Sequence, residues 1–158
     1  MPLRESMAFC VDTSGLLDGW RRYYPRDVFP TLWQHLEERV SAGEILASEE
    51  VYVELQKKDD DLHDWIKQRK SMLVAASEAI QRRVAQLLVD YPRLVDSLKG
   101  RSQADPFVIA TAIETSSVVV TGEAAGTAGR PRIPFVCQEL GVPCITFLDM
   151  IRELRLTY

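Results

Sequence analysis

The chain is poor in the residues that build soft-metal and nucleophile sites. It has two histidines, His35 and His63, and three cysteines, Cys10, Cys137 and Cys144. The histidines lie far apart within helical patterns. No zinc-ligand spacing exists, and no histidine is placed to serve a Ser-His-Asp triad. Three cysteines cannot all pair, and two lie in apolar strand-like runs, where cysteine acts as a small hydrophobe. That usage fits a reducing, cytoplasmic setting. No apolar run approaches the ~20 residues of a membrane-spanning helix, so no membrane partner is expected. The N-terminus lacks the basic-then-apolar pattern of a signal peptide. The loop Gly126-Thr127-Ala128-Gly129-Arg130 lacks the Lys-Ser/Thr pair of a phosphate-binding P-loop. An excess of basic charge is missing too. The net charge is -4 and the pI ≈ 5.2, which argues against strong non-specific binding of nucleic acid. A local basic rim stays open, at Lys57-Lys58, Lys67 to Lys70, Lys99 to Arg101, or Arg130 with Arg132. Each of these also reads as a solvated helix face or loop.

The 158 residues, 46% hydrophobic and 27% charged, suit one domain with its own core. Residues 1–6 are expected to be a disordered extension, and residues 7–158 one domain. Apolar runs at Ala8 to Val11, Ile45 to Ala47, Ser117 to Thr121 and Val142 to Thr146 read as strands. Helical patterns fill Leu16 to Tyr24, Asp27 to Val40, Ser48 to Lys57, Asp59 to about Lys70, Ala75 to Tyr91, Pro106 to Ser116, Ile133 to Leu140 and Leu148 to Leu154. Lys99 to Gln103 is a polar link. Strands alternating with helices predict an α/β fold, a parallel sheet of four to five strands covered on both faces. The span from residue 48 to 116 reads as all helical, an insertion between strands two and three.

Four acids stand in suggestive places. Asp12 ends the first strand, and the carboxyl ends of strands are where open α/β sheets bind ligands. Asp105 precedes Pro106 at a helix start. Glu54 lies in a helix, one residue before Leu55. Glu123 follows the strand ending at Thr121. Each has a purely structural alternative. Asp12 and Asp105 can serve as helix caps, Glu54 can pair with Lys58 one turn on, and Glu123 can be a solvated loop acid. An all-oxygen set with no His or Cys suits hard cations such as Mg²⁺ or Mn²⁺.

The ordered set resembles the PIN domain, the fold of VapC-like toxin ribonucleases. That family places an Asp after strand one with Ser or Thr two residues on, as Asp12 and Ser14 stand here. It places a Glu in an Ile/Val-x-x-Glu-Leu helix, as Val51 to Leu55 carries Glu54. It opens a helix with Ala-Asp, as in Ala104-Asp105-Pro106, with Ala110 and Ala112 lower down. It ends a strand Val-Thr-x-Asp, as Val120-Thr121-Gly122-Glu123 nearly does. Arg132 to Cys137, followed by Leu140-Gly141-Val142, is similar to a less characterised PIN-like subgroup. Glu stands where the family has Asp at 123, and the helices after Lys58 are longer than in a minimal toxin.

The resemblance implies a PIN-like three-layer sandwich and a metal-dependent endoribonuclease. Asp12, Glu54 and Asp105 would hold one Mg²⁺ or Mn²⁺, with Glu123 helping to hold a second or positioning water. Ser14 and Thr121 would support the ligand carboxylates, and Arg130 and Arg132 would contact nucleic acid. A toxin would have RNA as substrate and an antitoxin blocking the acidic cleft, and the fold admits a homodimer. The loop from Gly122 to Arg130 reads as a flexible tether. Two other functions compete: a non-catalytic PIN-like binding module, and an aspartyl-phosphate phosphotransfer domain using Asp12.

Overall fold

A five-stranded parallel sheet runs through the centre of the protein in the computed structural model, which describes residues 7–95 and 103–157. The strands are β1 (Phe9–Val11), β2 (Ile45–Ser48), β3 (Leu73–Val74), β4 (Val118–Val120) and β5 (Cys144–Ile145). Their order is β3-β2-β1-β4-β5. β1 is central, with Cys10 opposite Leu46 on one side and Val119 on the other. Phe9, Cys10 and Val11 are buried, as are all three residues of β4. Continuous apolar strands of this kind belong to a sheet covered on both faces.

Among the described residues, eight α-helices supply that cover: α1 (Thr13–Leu17), α2 (Pro30–Ser41), α3 (Glu49–Gln56), α4 (Asp60–Lys67), α5 (Glu78–Asp90), α6 (Asp105–Thr115), α7 (Ile133–Leu140) and α8 (Phe147–Glu153). The result is the expected three-layer α/β sandwich. Helix α6 packs on β1, β2 and β4, with α5 and α7 beside it. It reads as nearly all apolar because seven of its residues, Asp105 to Ala112 without Phe107, are buried. Elsewhere Trp20, Trp33, Trp65 and Phe147 make an aromatic cluster, with Trp33 edge-on to both other tryptophans. Gly19 admits the Phe147 ring, since a Cβ there would lie 2.5 Å from it.

Several boundaries differ from the sequence reading, each for a local reason. The span between β2 and β4 is not all helical. After α4 the chain makes a 3₁₀ turn (Lys70–Met72) and adds β3 at the sheet edge, pairing Ala47 with Leu73. The first helix begins at Thr13, three residues early, because the Asp12 side chain caps it through Gly15. It then widens into a π-helical turn over Asp18–Tyr23. The second helix starts at Pro30 rather than Asp27, with proline at its first turn, where its missing N–H costs nothing. Ser77 caps α5 through Ile80, so that helix opens at Glu78 rather than Ala75. The last helix opens at Phe147, set by a capping box between Thr146 and Asp149. The expected extension over residues 1–6 lies outside the described residues, as does most of the polar link from Lys99 to Gln103.

This strand order fixes where a ligand can enter. The chain leaves β1 towards β2 on one side, and β4 later inserts on the other. The crevice at the carboxyl ends of β1 and β4 is therefore a topological switch point. Among the described residues no helix is long and apolar enough to cross a membrane.

Candidate metal centre

Asp12 and Thr121 leave adjacent strands at that switch point. The Asp12 amide extends the sheet ladder by donating to the Val120 carbonyl at 2.9 Å. The Asp12 carboxylate is then wrapped. Gly15 N–H donates to Oδ1 at 2.6 Å, and the Thr121 hydroxyl donates to Oδ2 at 2.6 Å. The Ser14 hydroxyl lies 2.9 and 3.0 Å from the two oxygens. Ser14 in turn accepts from the Gly122 N–H at 3.0 Å, and Thr121 accepts from the Glu123 N–H at 3.1 Å. One hydroxyl from α1 and one from the end of β4 thus tie Asp12 to the loop that carries Glu123. Gly15 makes the approach possible: a Cβ there would lie 2.8 Å from the Val120 carbonyl oxygen.

Asp12 does cap α1, as the structural alternative had it, but the cap spends only one oxygen. Asp105 differs from the sequence reading. It is the first residue of α6 rather than the cap, Ala104 holds the cap position, and no side chain caps this helix. Its carboxyl instead meets Glu123 through a hydrogen bond.

Glu123 is no solvated loop acid. Its side chain is 9% exposed, its Oε2 accepts from the Ile133 N–H at 3.3 Å, and its Oε1 faces Arg132 at 3.4 Å. The α7 N-terminus and one guanidinium therefore draw it inward, as helix N-termini do with anions. Glu54 makes the expected ion pair with Lys58, at 3.4 Å, yet is only 14% exposed. Its charge also acts on Asp105, across the contact between α3 and α6.

Asp105 is the hub of the arrangement. Burial raises its pKa most, and the charges of Glu123, Asp12 and Glu54 raise it further. Asp12 is also raised, to about 7; burial is the main cause and Glu123 adds to it, against the donors Thr121, Gly15 and Ser14. Four mostly buried carboxyls share one neighbourhood, where each disfavours ionisation of the next.

Among the described residues, Lys58 pairs with Glu54 and Arg132 with Glu123. Against these two ion pairs, full ionisation would add the charges of Asp12 and Asp105, matching one divalent cation. The donors are all oxygen, so their chemistry fits Mg²⁺ or Mn²⁺ rather than a soft metal. Among the described residues, no three His, Cys, Asp or Glu side chains are already arranged around a common metal position. Their oxygens are turned instead toward Lys58, Arg132, Ser14, Thr121 and each other.

The sequence reading missed Asp18. A Cβ on Gly122 would lie 2.1 Å from Asp18 Oδ2, so this fifth carboxylate packs against the loop at the cleft mouth, with Arg22 3.9 Å away. The signal was present: Asp18 is one helical turn beyond Ser14 and shares its face. The expected pair of arginines divides. Arg132 faces Glu123, while Arg130 is exposed in a turn. That turn is a small hairpin rather than a plain tether. Thr127 and Arg130 exchange backbone hydrogen bonds at 3.1 Å, and Gly126 bridges Pro131. The histidines take no part; His63 stacks on Tyr52. Of the other basic runs, Arg69 is held by Trp65 and Glu37, and Lys99 to Arg101 lie outside the described residues.

No curated protein matches the chain. A family model described as a domain of unknown function, DUF4411, matches residues 9–158, and the chain belongs to that family.

Proposed function

We propose that this protein is a metal-dependent endoribonuclease of the PIN type, hydrolysing phosphodiester bonds of RNA. The observation that carries the reading is the mostly buried cluster of Asp12, Glu54, Asp105 and Glu123 at the switch point, in which Asp12 and Asp105 are held protonated well above the usual carboxylate range. These four residues would hold Mg²⁺ or Mn²⁺. The bound ion would supply a nucleophilic water at neutral pH and charge stabilisation for the leaving oxygen. The chain's own residues do the rest. Ser14 and Thr121 fix the Asp12 carboxylate, the role of supporting donors around metal ligands. Asp105, at the first turn of α6, brings the other three acids into one field. Arg132 and the exposed Arg130 supply donors for phosphate oxygens. As a toxin, the protein would act in a reducing cytoplasm and be silenced by an antitoxin covering the cleft; a homodimer fits this reading as well.

A binding module without chemistry draws on one specific observation: Lys58 and Arg132 neutralise half the cluster with no metal present. An aspartyl-phosphate role for Asp12 gains nothing, since Asp12 is 2% exposed and both its oxygens already accept hydrogen bonds. Incubation with a generic single-stranded RNA separates the readings. Cleavage is expected with Mg²⁺ or Mn²⁺, none with chelator, and none with Asp12→Asn. An intact RNA under all metal conditions would favour the binding module.

A further inference from the structure

We propose that Lys58 and Arg132 grip the phosphate backbone of the substrate, and that the cleft's own acids hold them back until a divalent cation occupies those acids. The inference rests on the metal-centre reading above and adds a regulation to it: nucleic-acid binding is switched on by the metal.

The two residues share one construction. Each is a partly exposed cation, 50% for Lys58 and 37% for Arg132, paired at 3.4 Å with an acid that is 14% or 9% exposed. Both acids act on Asp105. The cations therefore sit at the cleft rim with their charged ends turned inward. Neither pair is strong. Rim ion pairs contribute about 0–1 kcal/mol, so a competing cation can dissolve them. A divalent ion on Glu54 and Glu123 would weaken the pull on the ammonium and the guanidinium, and phosphate oxygens would become their best counter-charges.

Glu123 does not satisfy the whole Arg132 guanidinium. Its Nε is buried and has no hydrogen-bond partner. Guanidinium offers five donors in a fork that matches phosphate, and the protein leaves part of that fork unused. Lys58 also borders a polar recess of about 470 Å³, which Arg21 and Lys57 line together with Asp59, Asp60 and Asp61. Arg21 is itself tied to Asp59 at 2.6 Å.

Linkage makes the proposal quantitative. If metal raises affinity for a polyanion by some factor, the polyanion raises affinity for metal by the same factor. The test uses the full chain, Mn²⁺, and a fluorescent single-stranded oligoribonucleotide made nuclease-resistant by 2′-O-methyl and phosphorothioate groups. Calorimetry reads Mn²⁺ binding alone, and anisotropy reads oligonucleotide affinity with and without saturating Mn²⁺. Wild type is expected to bind the oligonucleotide about tenfold more tightly with Mn²⁺, within the usual range for coupled sites. The double variant Lys58→Met/Arg132→Met should bind Mn²⁺ at least as tightly, because a competing cation has gone, while the coupling falls below about twofold. Its Mn²⁺ binding also reports that it is folded. Lys58→Met alone should lose part of the coupling, and Lys58→Arg should keep it. Wild type that binds Mn²⁺ without any change in oligonucleotide affinity overturns this inference and leaves the metal centre standing. So does a double variant that keeps the full coupling, since the metal alone would then make the contact. Wild type that binds no Mn²⁺ overturns both.

Discussion

Asp105→Asn is expected to abolish RNA cleavage while making the metal-free protein more stable at pH 8. The two effects share one cause. Asp105 is the acid on which the charges of Glu123, Asp12 and Glu54 all act, and it is 7% exposed. At pH 8 the folded chain must keep a proton on Asp105 that the unfolded chain has lost; an asparagine needs none, and its amide can donate to Glu123 in place of that proton. The same change deletes a ligand from the centre of the proposed cation site. A loss of about 10³-fold or more in cleavage rate is expected, ~4 kcal/mol of barrier. Stability should rise by about 1–3 kcal/mol. Denaturant melts at pH 8 without metal, paired with initial cleavage rates, read both. Asp12→Asn should lose activity as well but gain less stability. Its carboxylate accepts from Gly15, Ser14 and Thr121, and an asparagine offers only one acceptor oxygen to those donors.

Metal-free stability is expected to fall as pH rises. Asp12 is raised to about 7 and Asp105 to about 9, chiefly by burial. Unfolded aspartates titrate at about 4. Between those limits the folded chain holds protons that the unfolded chain has lost, so each pH step upward favours unfolding. The decline starts above about pH 4 and ends only when both folded carboxyls have ionised. Between pH 5 and pH 9 it should amount to about 2–4 kcal/mol. Urea midpoints at pH 5, 7 and 9 in chelator measure it. The Asp105→Asn variant should show a flatter profile. A wild-type protein equally stable at pH 5 and pH 9 would mean that neither carboxyl is held protonated by its buried site.

Much of this cleft is written in local sequence. Phe9-Cys10-Val11 and Val118-Val119-Val120 are short apolar runs bounded by polar residues, and both strands form where they were expected. Asp12 stands out because a carboxylate ends one of these runs. Ser14 and Thr121 follow from their distance to a strand end, and both do reach Asp12. What escaped local reading is set by tertiary contact or by very short range. β3 is two residues long, too short to carry a period. Glu54 looked like half of a helical ion pair, and the pair exists; the action of its charge on Asp105 comes from α3 meeting α6, which no spacing within either helix encodes. Arg132 and Glu123 are nine residues apart across a hairpin, and only the Gly126–Pro131 bridge folds one back on the other. Gly126 takes φ +77°, and a Cβ there would lie 2.5 Å from the Arg130 carbonyl oxygen. The glycines that suggested a loose tether are what let the turn close. Asp18 escaped because its helix was expected to start at Leu16, which hid its alignment with Ser14.

The claim that these four carboxyls form one cation site is tested most directly by thermal melts at pH 8 with increasing Mn²⁺. A ligand that binds only the native state must stabilise it, by about 2.7 kcal/mol at one hundred times its dissociation constant. Wild type is expected to rise steadily in melting temperature with Mn²⁺, and Asp105→Asn, already more stable without metal, to show little or no further rise. A wild-type melting temperature that does not move with Mn²⁺, or one that moves equally in wild type and Asp105→Asn, would contradict the account.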